Sequence, residues 1–142
     1  MPGFSQPGQS DAPDVRLGAI VTGGLAPAIM AIVERGVMRR PEKARRLGIE
    51  VELQMEEHYP PVRIAFGGDV VLVEDGPAMA PALRITGALS DLVALLVVPL
   101  LGGVPSPIDA RGRAALGMFA SRRVRIEGEV GKLRGFLGVL TL

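Results

Sequence analysis

The 142-residue chain is 48% hydrophobic but only 4% aromatic, and it holds no Cys, no Trp and a single Tyr. Its 16 basic and 15 acidic residues leave a net charge of +1, a balance that speaks against nucleic acid as a partner. The missing Cys excludes disulfides, thiol catalysis and thiolate metal sites; it suits a reducing compartment, so a cytoplasmic location is expected.

Residues 1–13, MPGFSQPGQSDAP, offer too little apolar surface to offset the entropy of ordering. A flexible tail is expected over 1–14 and a single domain over 15–142. The run LGAIVTGGLAPAIMAIV at 17–33 is uncharged, but Asp11 and Asp14 precede it and Gly23, Gly24 and Pro27 interrupt it, so it does not read as a signal peptide. Leu25, Ile29, Ile32 and Val33, widened by Met30 and Val37, recur at helical spacing and predict a helix from Leu25 to Met38. Gly36 weakens that helix, Pro41 bounds it, and Pro41-Glu42 can open one more short turn.

IEVELQME at 49–56 alternates Ile49, Val51, Leu53 and Met55 with Glu50, Glu52, Gln54 and Glu56, the period of a strand with one dry and one wet face. Val62, Ile64 and Phe66 mark a second strand, and Gly67-Gly68 suits a tight turn with positive φ. DVVLVE at 69–74 is apolar on both faces, as a strand covered on both sides would be. LRIT at 83–86 is a fourth strand. Ser90 can cap the next helix, with Asp91 in its first turn and Pro99 ending it near Val98. Ser106-Pro107 can open another helix, with Ile108, Ala115, Leu116 and Phe119 on one side. VRIE at 124–127 is a fifth strand, and Val130, Leu133, Phe136, Leu137 and Leu140 stripe a final helix. The expected fold is α+β: a five-stranded mixed, mostly antiparallel sheet with helices packed on one face. The first three strands form a meander, and the long helical link between the fourth and fifth permits parallel pairing.

Chemistry is sparse. His58 is the only His, which rules out a multi-His metal site, and the turn EEHYPP around it reads as wet. Glu50, Glu52 and Glu56 share a strand face that reads as solvated. No phosphate-binding glycine loop or nucleophile elbow is present. The stretch Leu92–Leu101 carries no polar side chain, yet it is about half the ~20 residues of a membrane span and Pro99 breaks it. The basic run RRPEKARR, with Arg39, Arg40, Lys43, Arg45 and Arg46, reads as a solvated helix end that can also touch anionic head groups.

Two segments, APALRITGALSDLVALL (80–96) and RRVRIEGEVGKLRGFLGVL (122–140), resemble the sterol carrier protein family of the non-specific lipid-transfer type. The resemblance extends over about 25–142. It implies a sheet covered by helices, a hydrophobic tunnel for acyl chains, sterols or similar lipids, and no catalysis or cofactor. Carried over by position, Val71, Val73, Leu92, Leu95, Leu96, Phe136, Leu137 and Leu140 would face the ligand or its packing. Leu100 and Leu101, in the apolar tail beyond Pro99, are expected to close one end of a pocket or meet a partner, and Phe119 is a further candidate ligand contact. Two features depart from the family pattern: VVPLLGGVPSP is longer and more apolar than the usual link, and Ser121-Arg122 stands where a Gly is common. An interaction module that self-associates through its apolar helices, the 17–33 region foremost, is the second reading; an enzyme using His58 or the glutamates is the third.

Overall fold

The computed structural model describes residues 12–96, 100–101, 104–105 and 123–140. In chain order they form β1 (Asp14–Leu17), α1 (Ala26–Arg39), α2 (Pro41–Leu47), β2 (Glu50–Met55), β3 (Val62–Phe66), β4 (Val70–Asp75), β5 (Leu83–Gly87), α3 (Leu89–Leu96), β6 (Leu100–Leu101), β7 (Val104–Pro105), β8 (Val124–Gly128), a 3-10 turn (Val130–Lys132) and α4 (Leu133–Leu140). The helix expected after Ser106 lies outside the described residues.

Alternation decides which strand face is dry. Val51, Leu53, Val62, Ile64, Phe66, Val71, Val73, Leu83 and Ile85 are buried, and their cross-strand partners are one another. Among the described residues four helices cover this inner face, so the architecture is α+β with helices on one side, as the sequence predicts. The meander β2–β3–β4 is antiparallel, also as expected.

Three expectations need correction. The main sheet has six strands, in the order β1-β4-β3-β2-β5-β8, not five. The extra strand β1 lies parallel to β4, with the Asp14 N–H on the Asp69 carbonyl and the Gly18 N–H on that of Val73, each at 2.8 Å. Asp14 is thus the first residue of β1. Next, β5 and β8 pair antiparallel, with Gly87 opposite Val124. The long link between them leaves and re-enters at the same end of the sheet, so it is an excursion and not a crossover. The parallel crossover is instead the extended strap from Gly76 to Ala82, which joins β4 to β5 across β3 and β2 and places β5 parallel to β2. Finally, β4 is dry on one face only: Val70 and Leu72 are half-buried while Val71 and Val73 are fully buried.

Local chemistry sets the element ends. Gly68 takes φ +83° in the turn between β3 and β4, as the Gly-Gly pair predicts. Ser90 does not cap α3; it sits exposed in the first turn, and the Glu57 carboxylate accepts the Leu89 N–H at 3.0 Å instead. Gly36 has a packing reason. A Cβ there would overlap the Val139 carbonyl oxygen and come within 3.0 Å of the Leu140 Cα, so glycine lets α1 and α4 touch backbone to backbone. Of the glycines of the last segment, Gly131 and Gly138 have open space where a Cβ would stand, and Gly135 meets Leu47.

Candidate functional site

The inner layer gathers most of the residues expected to face a ligand. Val71, Val73, Leu92, Leu95, Leu96, Phe136, Leu137 and Leu140 are each no more than 2% exposed and belong to one core with Ile29, Val33, Val37 and the inner strand residues. Phe136 meets Phe66 edge to face, ring centroids 6.1 Å apart at 82°. Leu100 and Leu101 form β6, paired with β7 through Leu100–Pro105 and Leu101–Val104. Phe119 lies outside the described residues. Buried with this layer are Asp91 on α3, which pairs with Arg123 at 2.5 Å, and Asp75, at the last position of β4. Its carboxylate accepts the N–H of Val21 at 2.9 Å and of Ala26 at 3.1 Å, the latter in the first turn of α1. Leu25 stands at the cap position of α1 and has no side-chain acceptor, so the cap comes from a strand far away in sequence. The one local hint is that empty cap.

The outer face is a charge ladder. In register across neighbouring strands stand Glu74, Arg63, Glu52, Arg84 and Glu127, alternating in sign. Arg63 pairs with Glu74 at 2.5 Å and with Glu50 at 3.0 Å; Arg84 pairs with Glu52 at 2.9 Å and Glu127 at 3.6 Å. The expectation of a solvated glutamate face fails at Glu52, which is 1% exposed because the Gly76–Ala82 strap lies over it. The Ala78 N–H donates to Glu52 at 2.7 Å, and the Ala82 N–H to the Glu50 carbonyl at 2.8 Å. The Arg63 guanidinium holds the Glu50 carboxyl below its ordinary range, outweighing partial burial. For Glu52, burial is the largest single influence and pushes upward, but the bonds from Ala78, Arg84 and Gln54 together win and leave it lowered as well.

His58 is exposed in its turn, as are Glu56 and Glu57. No group of His, Cys, Asp or Glu among the described residues could hold a metal ion. A depression of about 480 Å³ at the end of the sheet is lined by residues including Glu50, Ala82, Glu129 and Lys132, and one of about 440 Å³ lies on the outer side of α1 by Arg35 and Met38. Neither is lined by the residues expected at a ligand. In the basic run, Arg45 is held by Asp69 at 3.1 Å and Glu42 at 2.9 Å, and Arg46 lies 3.9 Å from Glu42; Arg39 and Lys43 are exposed.

No protein-family model matches the chain, and no curated protein does. Solved structures do. The chain superposes on the UbiJ-SCP2 ubiquinone synthesis protein with a TM-score of 0.60 at 14% identity, covering 82% of this chain and 92% of that one. It superposes on sterol carrier protein 2 from Yarrowia lipolytica, in its apo form, with a TM-score of 0.53 at 16% identity, over 84% and 92% of the two chains. It also matches the inverting sec-alkylsulfatase Pisa1 from Pseudomonas sp. with a TM-score of 0.54 at 15% identity, over 71% of this chain but only 14% of that enzyme. With the helices on one face of a mixed sheet and near full-length coverage of two such domains, the chain has the sterol-carrier-like fold.

Proposed function

We propose that this domain is a non-catalytic carrier for an apolar small molecule, a fatty acyl chain, sterol or similar lipid, taken up between the helices and the inner sheet face. The observation that carries the reading is the chemistry of that layer. Apart from the buried carboxylates Asp75 and Asp91, it is built from apolar side chains, mostly aliphatic, with Phe66 and Phe136. Aliphatic contacts are non-directional and individually weak, so an acyl chain or ring system can replace them at little cost. Val71, Val73, Leu92, Leu95, Leu96, Phe136, Leu137 and Leu140 would line the bound state, with Leu100, Leu101 and Phe119 completing one end. The fold supports it as well. One neighbour carries the name of a sterol carrier and another that of a ubiquinone synthesis protein, so sterols and prenylated molecules belong among the probes beside fatty acids. No helix among the described residues is long and apolar enough to cross a membrane; a cytoplasmic setting and transient surface contact through Arg39, Arg40, Lys43, Arg45 and Arg46 are part of the proposal.

The test is native mass spectrometry of the purified protein with extraction of co-purified lipid, followed by titration with a fluorescent fatty acid. Saturable binding at micromolar concentration, displaced by unlabelled lipid, is the expected result. Absence of any binding at that concentration sinks the reading. One observation favours the second reading, self-association: Leu17, Ile20 and Val21 are 39%, 60% and 52% exposed beside the sheet edge formed by β1. Light scattering across a concentration series separates the two, since a constant monomer mass excludes it.

A further inference from the structure

Among the described residues the sheet ends at β1, which lies parallel to β4. The N–H groups of Asp14 and Gly18 turn toward β4, onto the carbonyls of Asp69 and Val73. In a parallel ladder the alternate residues turn theirs the other way. The N–H and C=O of Val15 and Leu17 therefore point away from the sheet, and they have no partner among the described residues. Such a row is a template for one more strand, and folds usually blunt it with charge or a covering segment. Here the outward groups belong to a valine and a leucine, and exposed Leu17, Ile20 and Val21 give the edge an apolar margin. At the opposite edge, β8, Glu127 already pairs with Arg84 inside the sheet.

The side chains select the strand that fits. Asp14 and Arg16 share the outer face of β1; Val15 and Leu17 share the inner one, where Val15 packs against the core. In an antiparallel pair of two identical strands, outward-pointing residues face one another, so a two-fold axis passes through a residue position. Centred on Asp14 or Arg16, it sets like charges opposite each other, which destabilises a sheet. Centred on Leu17, it sets Asp14 against Ile20 and Arg16 against Gly18. Centred on Val15, it sets Asp14 against Arg16 of the second copy, and Arg16 against Asp14 of that copy. Val15 then exchanges two backbone hydrogen bonds with its twin, and the Leu17 N–H meets the Pro13 carbonyl of the second copy. Pro13 has no N–H, so the ladder stops there. Asp14 and Arg16 now hold each other within the chain at 2.7 Å with both side chains more than half exposed, so trading that contact for one across the axis costs little. An unrelated strand would need the same order of charges; a second copy supplies it.

We propose that the domain forms a two-fold dimer by antiparallel pairing of β1 with β1 of a second copy, Val15 on the axis. The pairing joins two six-stranded sheets into one, keeps both helical layers on the same side and uses up the free edge, so association stops at two. It rests on the self-association reading and gives it a surface and a register; the inner layer takes no part, so cargo binding is independent of it.

The test is charge reversal. Arg16→Asp and Asp14→Arg change exposed side chains and should leave the fold intact, which circular dichroism melts verify. In sedimentation equilibrium of the full chain up to millimolar concentration, the wild-type mass should rise from monomer to dimer. Each reversal alone should weaken dimerisation by roughly tenfold, since like charges then face each other twice. Mixing the two variants should restore it, because an acidic strand then meets a basic one. Amide exchange followed by NMR should slow at Val15 and Leu17 as wild-type concentration rises, and not in either variant alone. A monomer mass at every concentration overturns this proposal and the self-association reading together. Reversals that dimerise as the wild type does, or a mixture no stronger than its parts, overturn the β1 pairing alone and leave self-association to another surface.

Discussion

On the helix-covered face, Val51, Leu53, Ile64, Val73, Leu83 and Ile85 meet other apolar side chains; on the opposite face, the same strands present Glu74, Arg63, Glu52, Arg84 and Glu127 in one alternating row. The first set has no directional requirement, so one aliphatic group can stand in for another. The second does have one: each cation has an anion across the strand, and a slip of one residue would bring the polar row to the core side. The outer face therefore fixes the register, and the inner face is free to be soft. A carrier needs that division, because its interior has to yield to cargo without the sheet losing its pairing.

The largest effect should come from the soft side. Phe136→Ala removes a fully buried ring that touches Phe66. A loss of about 3–5 kcal/mol is expected in urea unfolding, with the usual cavity penalty included. If the site is a ligand chamber, saturating fatty acid should recover part of that loss by filling the cavity. A loss that no ligand reduces would make this face an ordinary core.

Next in size is the anchor of the strap. Glu52→Ala orphans the Ala78 N–H and leaves Arg84 with Glu127 alone, and should cost roughly 1–3 kcal/mol. Glu52→Gln keeps the acceptor and should cost less. Acid titration sharpens the point. Glu50 and Glu52 are both lowered from 4.5, so the unfolded chain takes up protons first as pH falls. Their stabilisation is complete above about 4.5 and is lost as pH drops through their lower folded values. The Glu50→Gln/Glu52→Gln variant should show a flatter acid limb in urea midpoint against pH; an unchanged limb would mean that other carboxylates control it.

Gly36→Ala tests the α1–α4 contact. Helix propensity alone favours Ala by about 1 kcal/mol. The overlap with the Val139 carbonyl opposes it, and backbone cannot move aside as a side chain would. Overpacking of this kind costs about 1–3 kcal/mol, so the net effect should be a destabilisation of up to about 2 kcal/mol. A stabilised variant would show that α4 can shift, the kind of give a ligand chamber requires.

The soft face was legible in the sequence because period-two alternation writes it directly: Ile49 to Met55 and Val62 to Phe66 mark the dry side without ambiguity. The outer face was not. Glu52 looks solvated until the strap is placed over it, and GPAMAPA carries no sign that it will cross two strands. The parallel pairing is hidden for the same reason, since a helical segment suggests a crossover and a short Pro-Ala strap does not. Strand β1 leaves no mark in the sequence because Asp14–Leu17 is too short for alternation to stand out. As for the ligand-facing residues, alternation and helical stripes place them in one layer, but whether a layer opens into a chamber depends on how side chains fill it, which no pattern encodes.

The smallest effect is expected where geometry alone would mislead. Arg16 lies 2.7 Å from Asp14, nearer than Arg84 lies to Glu52 at 2.9 Å. Distance would rank the Arg16 pair higher. Its two side chains are 63% and 62% exposed, whereas Glu52 is 1% exposed. Exposed partners lose little hydration on separating and are screened by water, so Arg16→Ala should change stability by no more than about 0.5 kcal/mol, and less in high salt. Arg84→Ala strands a buried carboxylate and should cost several times as much. Measured side by side, the two arginines ask whether burial, rather than contact, makes the outer ladder hold the register. Equal losses would show that it does not.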